Sequence, residues 1–106
     1  MRELVEMLFK GVKENDLKKV AIALIKGANP NASEFMGMTP LHYAESVEVA
    51  ELLISAGADV DARCFMGRTP LRVASYTHNY AVGNTLIGAG ANVNAKDNYG
   101  KSIYEV

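Results

Sequence analysis

One seven-residue string occurs twice in this chain, and no other feature narrows the possible folds as much. Residues 35–41 read FMGMTPL and residues 65–71 read FMGRTPL, differing at one position and offset by 30 residues. A second string recurs as GANPNA at 27–32, GADVDA at 57–62 and GANVNA at 90–95, spaced by 30 and then 33 residues. Gly37, Gly67 and Gly100 keep the same two spacings. Such a chain is built from stacked copies of one small unit, each burying its apolar face against the next. The register predicts a single domain over residues 1–106, divided at about 1–32, 33–62 and 63–95, with an incomplete fourth unit at about 96–106.

Within a unit, Thr39 followed by Pro40 predicts a helix start, because threonine caps the first turn and proline suits it. Thr69 and Pro70 repeat the signal, and Leu41 with Ala44, like Leu71 with Ala74, shares one inward face. A second helix follows over residues 47–56, where Val47, Val49, Ala50, Leu52, Leu53 and Ile54 form a broad apolar stripe. Gly57 closes it, as Gly27 and Gly90 close its counterparts. Asn29, Asp59 and Asn92 fall in the following turns, and Gly37, Gly67 and Gly100 fall where a tight hairpin requires positive φ. The loop after Ser46 is three residues shorter than its counterpart, so the first helix of that unit should be short. Gly83, Asn84, Thr85 and Gly88 should weaken the second helix of the third unit. The first unit lacks the Thr-Pro opening but supplies two amphipathic segments, with Lys10, Lys13, Glu14, Lys18 and Lys19 expected to solvate a terminal outer face.

The Thr-Pro-Leu-His run at 39–42, with its three glycine-alanine turns, resembles the ankyrin-repeat family over nearly the whole chain. The resemblance implies an all-α solenoid of antiparallel helix pairs joined by β-hairpin-like fingers, about three repeats plus an incomplete fourth. It implies that His42 ties its helix start to neighbouring backbone; Arg72 stands where a second such histidine would be. It places partner binding on the finger tips and the exposed side of each first helix. The matching residues are Phe35, Met36 and Met38, then Arg63, Phe65, Met66 and Arg68, then Tyr76, and finally Lys96, Tyr99 and Lys101. Aromatic, methionine and arginine side chains are enriched at interface cores. Packing on neighbouring fingers is an equal expectation for Met36, Met66 and Tyr99. The row predicts an apolar surface with a basic end, suited to a protein segment with an apolar anchor and acidic neighbours.

Other function classes find little support. A formal net charge of −1 and no basic groove-reading helix argue against nucleic acid. The apolar run Leu4 to Phe9 is interrupted by Glu6, so neither a membrane span nor a targeting signal is expected. The single cysteine, Cys64, excludes an internal disulfide framework and agrees with a reducing, cytoplasmic setting; it reads as filling a hairpin position, where exposure at the finger tip would open it to oxidation. His42, His78 and Cys64 lack zinc-ligand spacing, and no phosphate loop or nucleophile motif occurs, so no cofactor, metal or catalysis is expected. The leading expectation is a non-catalytic protein-protein interaction module, an adaptor or inhibitor. The alternative is a structural or assembly role through an apolar C-terminal face covered at most by Tyr99, Ile103, Tyr104 and Val106.

Overall fold

The computed structural model describes residues 2–105. Helices α1 (Arg2–Lys13) and α2 (Leu17–Ile25) form the first pair. A single 3-10 turn, Pro40–Tyr43, and α3 (Val47–Ser55) form the second, and α4 (Pro70–Tyr76) with α5 (Tyr80–Gly88) the third. The turn at 40–43 packs between α1 and α4 in one layer, while α3 packs between α2 and α5 in the other. The resulting stack measures 37 × 24 × 21 Å. One continuous core runs through it from Leu8 and Val12 past Val20, Leu41 and Leu53 to Leu71, Val82 and Leu86.

Capping explains where these helices begin. Asp16, Ser46, Thr69 and Asn79 each accept a hydrogen bond from the backbone N–H three residues on, at 3.1–3.2 Å. The short loop after Ser46 has the expected effect: Ala44 is already extended, leaving the second unit one turn where α4 has seven residues. By contrast, α5 spans nine residues despite its two glycines. Gly83 is buried, and a β-carbon there would stand 3.7 Å from Leu71, an ordinary contact.

The fingers are tight turns, with no strand assigned among the described residues. One backbone bond closes each: Glu34 N–H to Met38 O, Cys64 N–H to Arg68 O and Asp97 N–H to Lys101 O. Each finger then bonds to the one before it, Phe65 N–H to Met36 O and Asn98 N–H to Met66 O, both at 2.9 Å. Glycine is required at these joints for two reasons. Gly37 has φ +73, and a β-carbon on it would lie 2.5 Å from Phe65 Cδ1; Gly67 has φ +75 and the Asn98 side chain against it. A second ladder runs along the turns after the outer helices. Asn31 Oδ1 accepts from Asp59 N–H at 2.7 Å, and Asp61 Oδ1 accepts from Asn92 N–H at 2.9 Å. No helix among the described residues is long and apolar enough to cross a membrane.

Candidate functional site

Two adjacent fingers and α4 enclose a groove of about 340 Å³. The first finger contributes Phe35, Met36 and Met38, the second Cys64, Met66 and Arg68, and α4 contributes Val73 and Tyr76. Phe35 is 81% exposed and Tyr76 61%, so a large apolar surface faces solvent beside the groove. Three methionines give that lining an adaptable, polarizable character. Met36 holds φ +64, a left-handed conformation costing about 1–2 kcal/mol for a residue with a β-carbon.

Six of the residues singled out in the sequence therefore meet in one place: Phe35, Met36, Met38, Met66, Arg68 and Tyr76. The other five do not line the groove. Phe65 lies over Gly37 of the preceding finger, so its ring already has an intramolecular partner although it is 73% exposed. Its counterpart in the last finger is Asn98, which lies over Gly67 and donates from Nδ2 to Phe65 O at 2.8 Å. The phenylalanine position is thus filled only in the first two fingers. Arg63, Lys96, Tyr99 and Lys101 are exposed on the fingers. Cys64 and Val73 were not expected in the groove. Cys64 closes its finger through its own N–H, and its side chain is only 7% exposed, which corrects the expected exposure of its thiol but not its hairpin position.

Arg68 also departs from the simple rim cation expected of it. Its guanidinium stands 5.8 Å from the Tyr76 ring centroid and 3.9 Å from Asp97 Oδ2. Arg72 reaches the same ring at 5.9 Å and the same carboxylate oxygen at 3.6 Å, with its side chain 5% exposed. The Asp97 carboxyl is held below its ordinary range by backbone N–H bonds from Lys101 and Tyr99, then by Arg72 and Arg68. Two guanidinium groups around one carboxylate leave a net positive charge at this end of the groove.

Lys13, at the end of α1, does not line the groove. Its ammonium pairs with Glu34 at 2.6 Å and lies 4.8 Å from the Tyr43 ring centroid, so it does more than solvate a terminal face. Burial, followed by the Glu34 hydrogen bond and charge, pushes the Tyr43 hydroxyl up to about 12. A wider hollow of about 810 Å³ between α1 and residues 32–34 is lined mainly by charged groups, among them Arg2, Glu6, Lys10 and Glu14. It is the larger space, but its lining is far more polar than that of the smaller groove, which is almost wholly apolar.

Both histidines are engaged in local hydrogen bonds. His42 Nε2 lies 2.8 Å from Arg68 O, and a carbonyl only accepts, so Nε2 carries the proton. Nδ1 therefore accepts from Thr39 N–H at 3.1 Å, which is the expected tie between helix start and neighbouring backbone. Burial holds the imidazole below its ordinary range, opposed by the Arg68 bond. His78 is exposed at φ +61, with Nδ1 3.0 Å from the Tyr80 hydroxyl. Among the described residues, no group of three His, Cys, Asp or Glu side chains is placed to hold a metal.

Stacked helix pairs joined by projecting turns define a repeat-built solenoid. A family model for ankyrin repeats in three copies matches residues 4–97, and the chain belongs to that family. Ankyrin repeats are generally protein-protein interaction modules and are typically non-catalytic. Comparison with curated proteins finds no match.

Proposed function

We propose that this chain is a non-catalytic adaptor or inhibitor that holds a partner protein in the groove between its first two fingers and α4. One observation carries the reading: an apolar, methionine-lined groove with exposed aromatic side chains at its mouth and excess positive charge at one end. The partner is a protein segment with an apolar anchor for the groove and acidic residues toward Arg68. Arg63, Lys96 and Lys101 contribute to steering such a segment rather than to gripping it. Its setting is the cytoplasm, which suits an unpaired cysteine.

The test uses groove residues that do not hold the fingers together. Phe35→Ala combined with Met66→Ala avoids Phe65, Arg68 and Asp97. Affinity capture from cell extract by wild type and by this variant, matched in helical circular dichroism, is expected to show a protein retained by wild type alone. Equal retention by both would remove the groove from consideration.

A further inference from the structure

At the C-terminal face, the alternative place for self-association, Ile103 and Tyr104 border a hollow against α5, Tyr99 does not, and Val106 lies outside the described residues. The groove holds a chemistry that its apolar surface does not use. Four sulfur-bearing side chains line it: Met36 and Met38 from the first finger, Cys64 and Met66 from the second. They are the chain's single cysteine and three of its five methionines. The two fingers are joined at this point, since Phe65, which stands between Cys64 and Met66 in sequence, donates its N–H to Met36 O at 2.9 Å. Cys64 is a buried free thiol, while Met36 is exposed and reachable from solvent. Met36 and Met66 fill equivalent places in their fingers, yet only Met36 is left-handed, so the two thioethers enter the groove from different backbone conformations. Three rotatable bonds let each methionine sulfur adjust around a guest. An anchor residue needs only apolar surface, which leucine would supply equally; a lone pair on each sulfur is what these four side chains add.

We propose that the groove binds one copper(I) ion, with Cys64 as thiolate ligand and Met36, Met38 and Met66 as thioether ligands. Ligand type selects the ion. Thiolate and thioether sulfur favour copper(I), whereas no histidine, aspartate or glutamate lines the groove to complete a zinc, magnesium or calcium site. Charge selects it as well. Binding replaces the Cys64 S–H bond by a sulfur-metal bond and releases the proton to solvent, so one monovalent ion and one thiolate are together neutral. A divalent ion would keep an unbalanced charge in an apolar lining whose only ionised member is the cation Arg68. Cys64 alone would be an ordinary buried thiol; the three thioethers in the same groove make the ligand set. This inference does not rest on a protein partner occupying the groove.

Titration of the purified chain with copper(I), kept reduced by ascorbate and competed with the chelator bicinchoninate, tests it. Wild type is expected to take one ion per chain from the chelator and to release one proton, read from the dependence of the binding heat on buffer. Combining Met36→Leu, Met38→Leu and Met66→Leu should weaken binding on the order of a hundredfold, since disturbing even the neighbours of metal ligands costs about 10–100-fold. Leucine conserves volume and all three positions lie outside the core, so helical circular dichroism should not change. Cys64→Ser should abolish both the binding and the released proton. Equal affinity in the triple leucine variant would leave a thiol acting alone and overturns the proposal, as does one ion shared by two chains or a wild type that cannot compete with the chelator. The titration contains no partner protein, so its failure is separate from a failure of capture by the groove.

Discussion

Two joints of the stack solve one problem with different chemistry. Where the second helix pair meets the second finger, His42 donates to Arg68 O and accepts from Thr39 N–H, a neutral side chain satisfying two backbone groups. Where the third pair meets the last finger, Arg72 occupies the histidine's place and faces the buried carboxylate of Asp97. The neutral joint has hydrogen-bond geometry. The charged joint is longer, and Arg72 Nε, Arg72 Nη1 and Asp97 Oδ2 have no hydrogen-bond partner among the described residues. Neutral pairing satisfies each polar group locally, whereas a buried ion pair depends on keeping both partners.

The largest expected effect comes from breaking the charged joint. Asp97→Ala should lower the thermal unfolding midpoint by on the order of 15 °C, because it strands the buried Arg72 and opens the last finger. Asp97→Asn sharpens the comparison. Its amide oxygen retains the bonds that Asp97 Oδ1 accepts from Tyr99 and Lys101 N–H, so only the loss due to charge should remain. Equal midpoints for the two variants would show that finger closure contributes nothing. His42→Ala should cost somewhat less, about 10 °C, since it leaves two backbone groups unpaired but strands no charge.

Titration separates the joints further. His42 has its native pKa below the ordinary 6.5, so the unfolded chain takes up a proton that the folded site refuses. Its contribution is present above that value and is lost as pH falls below it. Asp97, lowered from 3.8, begins to contribute its loss only below that more acidic value. Urea unfolding between about pH 7 and pH 5 should therefore show declining stability in wild type and a flatter profile in His42→Gln. An unchanged slope in that variant would locate the titration elsewhere.

The smallest effects concern the outer helices. Amides of α5 should exchange faster than those of α3, because glycine weakens a helix interior. Equal protection by hydrogen exchange would contradict this. Gly88→Ala should then stabilise the protein by about 0.5–1 kcal/mol, as nothing lies within 4 Å of the added β-carbon.

Much of this architecture is legible without coordinates because its causes are local or periodic. The glycine spacing announces the stacking, Thr-Pro announces the helix starts at 40 and 70, and the missing residues after Ser46 announce the one-turn helix. The caps Asp16, Ser46 and Asn79 were also within reach, each directly preceding an apolar stripe. The candidate site was legible only in part. Phe35 and Phe65 occupy the same place in their repeats, yet Phe35 borders the groove while Phe65 lies on Gly37. Composition marks both as interface residues and cannot say which has a neighbour.

The repeat unit, its length and its capping follow from residues within one turn or one period of each other, and so can be read from the chain directly. The inward turn of Cys64, the sharing of Arg68 between Tyr76 and Asp97, and the meeting of Met36, Met66 and Tyr76 around one hollow emerge only on folding. Those outcomes depend on which side chain the adjacent unit presents some 30 residues away. Periodicity fixes the position of that neighbour, but the close packing of two different residues across the joint decides what is buried and what remains to bind.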